Sequence, residues 1–229
     1  MAKLCELIIV ARDPSRLANF YCQVFELSVV SQCDREIVLS DGRLNLILRQ
    51  NTDGQNPGLR AASFWGQDLA ALRKQLGNKL QDSSNSRGRF ADPDGNLIEI
   101  NEGEFKTAAK SSPFPIRHMA LYTADPRRLA DFYGEVLTMK QVAASDRSSI
   151  FVSDSYFNLA LLFERPGEEK PGLNHFGFHV RDIEEMRDRA EKSGVPKGDK
   201  RPDRIPFAEY RLHDPEGNGI DISVKGWQV

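Results

Sequence analysis

Histidine is scarce in this chain of 229 residues, which has four: His118, His175, His179 and His213. Two of them occupy the same register. His118 precedes Asp125 by seven residues and His175 precedes Asp182 by seven, and each Asp ends a strand-like run and opens a helix-like one. The same count from Asp13 and Asp68 in the first half falls on Glu6 and Ala61. A carboxylate joins the two imidazoles. Asp221 alternates with Ile220 and Ile222, so if the isoleucines share a layer the carboxylate faces the other way, and Glu99 holds the matching place in the first half. Two histidines and one carboxylate make the facial triad of non-haem iron, which leaves positions open for substrate and oxygen; zinc, manganese or nickel can use similar donors. A metal held this way acts as a Lewis acid on two neighbouring oxygens, acidifying a hydroxyl or stabilising an enediolate. Singly, each residue has a plainer reading, as a satisfied core histidine or a solvated aspartate. The shared register is what sets them apart.

The elements that must position these residues are legible as a repeat. "DPSRLANFYCQV" from Asp13 matches "DPRRLADFYGEV" from Asp125 at eight of twelve positions, and "DPDGNLIEI" from Asp92 matches "DPEGNGIDI" from Asp214 at six of nine. Between them, "IVLSDGRLNLIL" echoes "IFVSDSYFNLALL". The halves are 1–104 and 115–229, and 105–114 reads as a Lys-, Ser- and Pro-containing linker without an apolar period. Within each half a strand runs into an N-capping Asp and a helix, with Pro14 and Pro126 suited to the first helical turn. Two or three short strands with polar turns follow. Strand, helix and three strands, written four times, predict an α+β fold, because the later strands are too closely spaced for helical crossovers.

Composition narrows the function classes. The 31 basic and 33 acidic side chains leave a formal charge of −2, without the basic excess that nucleic-acid binding needs. No apolar run reaches the length of a membrane span; in the signal-like N-terminal stretch Glu6 interrupts the apolar run, Arg12 follows it and no small-residue cleavage site is present, so a buried strand is the expected reading. Cys5, Cys22 and Cys33 cannot all pair and lack CxxC spacing, as expected of free thiols in a cytoplasmic protein. Nucleic acid and membrane are therefore not expected partners, a small-molecule substrate is, and homo-oligomerisation stays open.

The segments "RHMALYTADPRRLADFYGEVL", "GLNHFGFHVRD" and "HDPEGNGIDIS", with "ARDPSRLANFYCQVF" and "FADPDGNLIEI" in the first half, resemble the vicinal oxygen chelate superfamily. It includes glyoxalase I, extradiol ring-cleaving dioxygenases, fosfomycin-resistance proteins and bleomycin-binding proteins. The resemblance implies paired βαβββ modules, each pair curling into a cup-like, partly open eight-stranded mixed barrel flanked by helices. Four modules in one chain resemble the extradiol layout, in which the C-terminal domain holds the metal. Carried over by position, the ligands are His118, His175 and Asp221, with Fe2+ the favoured metal and Mn2+, Zn2+ or Ni2+ as alternatives. Glu6, Ala61 and Glu99 make the first half degenerate and metal-free.

The resemblance has gaps. Asp221 is one methylene shorter than the family's glutamate. Arg211 stands where ring-cleaving enzymes place a tyrosine, with Tyr210 one residue out of register, and the extra acid–base histidines have no counterpart. The fourth ligand of glyoxalase I would fall near Leu159 or Leu161. His179, roughly 13 Å along the strand from His175, is expected to line the pocket or the core rather than share the ion. Arg211, His179 and Tyr210 are the candidate substrate contacts; Arg211, if it faces the cup, suits a carboxylate or enolate oxygen. His213, beside a turn, reads as exposed. Phe151, Phe157, Phe163, Phe176 and Phe178 are candidates for an apolar wall. The expectation is a metal-dependent glyoxalase- or dioxygenase-type enzyme acting on a small molecule with vicinal oxygens. The alternative is a metal-free binding or resistance protein using the same cup.

Overall fold

The computed structural model describes residues 2–229 except 53, 55, 85, 104, 146–148, 165–170 and 204–206. The first module comprises β1 (Lys3–Ala11), α1 (Pro14–Phe25), β2 (Ser28–Cys33), β3 (Glu36–Ser40) and β4 (Asn45–Gln50). The second comprises β5 (Gly58–Trp65), α2 (Leu69–Leu76), β6 (Gln81–Ser84), β7 (Arg87–Ala91) and β8 (Leu97–Asn101). The third comprises β9 (Ile116–Thr123), α3 (Pro126–Leu137), β10 (Lys140–Ala144), β11 (Ile150–Ser153) and β12 (Asn158–Phe163). The fourth comprises β13 (Gly172–His179), α4 (Ile183–Lys192), β14 (Asp199–Lys200), β15 (Tyr210–His213) and β16 (Gly219–Ser223). All four helices start as the sequence predicts. Asp13, Asp68, Asp125 and Asp182 each accept hydrogen bonds from backbone N–H groups of the first turn, meeting donors that have no partner within the helix.

The strands form two eight-stranded sheets of identical order, β2-β3-β4-β1-β5-β8-β7-β6 and β10-β11-β12-β9-β13-β16-β15-β14. In each sheet two modules meet at an antiparallel central pair, while β1–β4, β5–β8, β9–β12 and β13–β16 are parallel. The sheets are therefore mixed, open at both edges, and cup-like.

Alternation along the strands gives each sheet two different faces. The convex faces and the helices share one large core. It runs across both halves: Phe25 of α1 stacks on Phe178 of β13 with ring centroids 3.8 Å apart, and Tyr21 packs on Phe176 and Phe178. Smaller apolar clusters occupy the concave faces: Ile8, Ile47 and Ala61 in the first sheet, and Ala120, Phe151 and Ala160 in the second. This corrects the predicted apolar wall. Phe157, Phe176 and Phe178 belong to the helix-side core, Phe163 is exposed, and Phe151 alone of the five joins the concave cluster, with Phe207 against it. Strand parity decides the outcome, since Phe176 and Phe178 point opposite to His175 and Gly177.

The turn motifs also tie the halves together. The Tyr21 hydroxyl donates to Asp214 Oδ2 at 2.7 Å, and in the symmetric place the Tyr133 hydroxyl donates to Asp92 Oδ2 at 3.0 Å. Asp154 Oδ2 accepts from the Leu4 backbone N–H and Asp41 Oδ2 from that of Ile116, both at 2.8 Å. The repeated Asp-Pro-x-Gly-Asn and Ser-Asp segments thus shape turns and also bridge the repeats. Among the described residues no helix is long and apolar enough to cross a membrane.

Candidate metal centre

The parallel pairing of β9 with β12 sets His118 opposite Asn158, and that of β13 with β16 sets His175 opposite Gly219 and Gly177 opposite Asp221. His118, His175 and Asp221 all point to the concave side. Their donor atoms lie within 4.8 Å of one another, and among the described residues they are the group of His, Cys, Asp and Glu side chains spaced to share a metal ion. All three are buried.

The surroundings fix the histidine tautomers. Asn158 donates through Nδ2 to the carbonyl of Gln228 at 2.7 Å, which turns its Oδ1 toward His118 Nδ1, 2.9 Å away. Nδ1 must then carry the proton, and Nε2 keeps its lone pair for a ligand. Trp227 covers the same ring, stacked on it at 4.9 Å between centroids and 3° between planes. Gly177 makes that approach feasible, because a Cβ there would sit 2.7 Å from Trp227 Cζ2. Burial, reinforced by His175, lowers the His118 pKa from its ordinary value to about 3, so the ring is neutral.

His175 poses a sharper problem. Its Nδ1 lies 2.8 Å from Asn174 Oδ1 and its Nε2 lies 3.2 Å from Asp221 Oδ2. A neutral imidazole has one N–H and cannot donate to both. Burial, the largest influence, lowers the His175 pKa and disfavours the doubly protonated ring, although Asp221 pulls the other way. His175 Nε2 and Asp221 would hold a divalent cation, leaving Nδ1–H for the Asn174 oxygen, an arrangement usual for metal-bound histidines. The donor set therefore fits a metal. Asp221 itself is ionised: burial pushes its pKa up, but His175 and Arg211 outweigh burial and hold it well below the carboxylate range. Arg211 Nε donates to Asp221 Oδ1 at 2.6 Å.

The other predicted contacts divide. Arg211, paired with Asp221 across β15 and β16, reaches the centre. Tyr210 pairs with Ile222 on the opposite parity, and its ring packs under Arg187 of α4, 4.5 Å from the guanidinium carbon. It faces the helices, so the structure does not support its place among the substrate contacts. His179 is also removed from the centre. It bonds through Nε2 to the Val224 carbonyl at 3.1 Å and lies against Gly226, anchoring the C-terminal segment. His213 is exposed. Leu159 and Leu161 belong to the helix-side core, on the face away from the triad.

Sequence reasoning missed Asn158, Asn174 and Trp227. A signal for two of them existed in the repeat. Asn45 matches Asn158 and donates to the Lys106 carbonyl at 2.9 Å, as Asn158 does to that of Gln228. Phe105 stands six residues after Glu99, as Trp227 does after Asp221.

Residues 116–222 match the model of the Glyoxalase/Bleomycin resistance protein/Dioxygenase superfamily. Comparison with curated proteins gives no match. Solved structures share the whole two-sheet fold. The 2,3-dioxygenase LapB from Pseudomonas sp. KL28 superposes with a TM-score of 0.73 at 19% identity, over 99% of this chain and 93% of its own. The 2,2',3-trihydroxybiphenyl 1,2-dioxygenase of Sphingomonas wittichii strain RW1 gives 0.72 at 16% identity, over 100% and 92%. The Mn(II)-bound glyoxalase from Novosphingobium aromaticivorans gives 0.73 at 16%, over 100% and 85%. These likenesses show a tandem two-sheet fold shared with two dioxygenases and a glyoxalase.

Proposed function

We propose that this protein is a metal-dependent enzyme of the glyoxalase/dioxygenase type, acting on a small molecule with vicinal oxygens. His118, His175 and Asp221 would hold the metal in the cup of residues 115–229. Residues 1–104 would form a metal-free scaffold, and 105–114 would join the two. The observation that carries the reading is the buried triad itself, two imidazoles and a carboxylate whose donor atoms lie within 4.8 Å of one another. When bound, the metal supplies Lewis acidity that lowers the pKa of a substrate hydroxyl. The chain's own residues do the rest. Asn158 and Asn174 orient the imidazoles, Arg211 pins one oxygen of the short Asp221, and Trp227 shields His118 from water. Ala120, Phe151, Ala160 and Phe207 offer an apolar surface beside the triad. Fe2+ is the favoured metal, with Mn2+, Zn2+ and Ni2+ as alternatives, and the cytoplasm is the expected location.

The test is reconstitution with each of the four metals, followed by oxygen uptake with catechols and turnover of hemithioacetals. Turnover that needs one metal and is lost in His118→Ala supports the proposal. Protein that binds none of the four metals contradicts it. One observation favours a second reading, a metal-free binding protein: the Arg211–Asp221 ion pair leaves the carboxylate's charge balanced without a cation. Ligand-dependent thermal stabilisation of protein that binds no metal would support it.

A further inference from the structure

Arg211 has a donor to spare. Its Nε is spent on Asp221, but its Nη2 is buried and has no hydrogen-bond partner. A guanidinium nitrogen shut away from water without an acceptor is unfavourable, and a native fold that keeps one invites an explanation. The space around Arg211 is also specific to this half. Gly219 lies beneath it, and an added Cβ there would come within 3.3 Å of His175 Cβ and 3.6 Å of Arg211 Cδ. In the first half the matching position is Leu97, opposite Ala61, and the arginine matching Arg211 is Arg89, opposite Glu99. The second cup alone thus combines the open glycine, the histidine and an arginine folded onto the ligand carboxylate.

Charge points the same way. Two neutral imidazoles, one carboxylate, one guanidinium and a divalent cation leave a surplus of two positive charges. In a buried site such a surplus favours a ligand bringing compensating negative charge. We propose that Arg211 Nη2 donates to a carboxylate oxygen of the substrate, so that the site selects vicinal-oxygen chelators bearing a carboxylate beside the chelating pair. This rests on the metal-dependent reading above and narrows its substrate class. A guanidinium fixed by one carboxylate and presenting a further N–H to a second is a strong, directional anion contact.

The experiment compares catechol with 2,3-dihydroxybenzoate by calorimetry on Mn2+-loaded protein under nitrogen, with the metal content of every sample measured. The wild type is expected to prefer the carboxylated probe by about tenfold or more, the worth of one charge-assisted hydrogen bond. Arg211→Gln is expected to bring the two within about twofold of each other. If Arg211→Gln fails to hold metal, Arg211→Lys replaces it, keeping a positive charge without the guanidinium's second arm; its preference is expected to shrink. Wild-type protein that takes up no metal overturns the metal reading and this proposal together. Loaded protein that binds both probes equally, or a preference that survives in the variant, overturns the proposal and leaves the metal reading standing.

Discussion

The two cups are built on one plan and equipped differently. Glu6, Ala61 and Glu99 occupy the positions of His118, His175 and Asp221, as the strand registers show. The supports are retained in both: Asn45 and Asn158 each hold a backbone carbonyl of the segment leaving the last strand. The contents of the cups differ. In the first, Glu6 is buried with Oε2 unpartnered and the Arg87 guanidinium 3.9 Å from Oε1, while Ala61 packs with Ile8 and Ile47. In the second, a preorganised donor set sits beneath Trp227. The comparison separates what the fold needs from what the site needs. The asparagine and the tail are common to both modules; the histidines, Gly177, Gly219 and the stacked indole are found in the second cup alone.

Breaking the second cup should have the largest effect. His175→Ala is expected to abolish metal binding, whereas Glu6→Ala leaves it unchanged, both read by elemental analysis. Loss in both variants would mean that the first cup is not independent of the site. Next come the supports. Asn158→Ala and Trp227→Ala should weaken metal affinity by about 10- to 100-fold, as removal of outer contacts to metal ligands does, while Asn45→Ala and Phe105→Ala should not change it. Equal effects in the two halves would erase the distinction.

A smaller effect, alike in the two halves, is expected where they are alike. Tyr21→Phe and Tyr133→Phe should each cost about 1–2 kcal/mol in chemical denaturation, because Asp214 and Asp92 keep their Asn218 and Asn96 partners. A strongly unequal pair of values would show that the latches are not equivalent.

The slightest and most diagnostic difference is in the response to pH. In the metal-free protein the unfolded chain protonates His118 at its ordinary value of 6.5 and the folded chain only at about 3. The second cup therefore loses stability as pH falls through that window. Glu6 has the opposite sign. Burial raises its folded pKa above 4.5, so its contribution is favourable in acid and is lost as pH rises through the raised value. Glu6→Gln should raise the melting temperature at neutral pH and do little at about pH 4. An increase of the same size at both values would refute the assignment.

Much of this was readable in the chain. The capping aspartates and the repeat gave four βαβββ modules, and counting back from each cap placed His118 and His175 in one register. Alternation put Asp221 across from its isoleucines. What could not be read depends on contacts between distant segments. Phe176 and Phe178 looked like pocket wall because the sequence does not say which strand face meets α1. Tyr210 looked close to the site because one residue of register separates the two faces of β15. Trp227 and Gly177 are informative only together, since each explains the other across the folded cup. Asp92 and Asp214 fit their turns so well that their second role, accepting a tyrosine from the opposite half, left no local trace.

Of the two cups, only the second is expected to carry the metal. The most direct test is metal content per chain in wild-type protein, with the ion located by anomalous scattering. One ion per chain is expected, bound by His118, His175 and Asp221. No ion after loading with Fe2+, Mn2+, Zn2+ or Ni2+, or an ion found at Glu6 and Glu99, would contradict it.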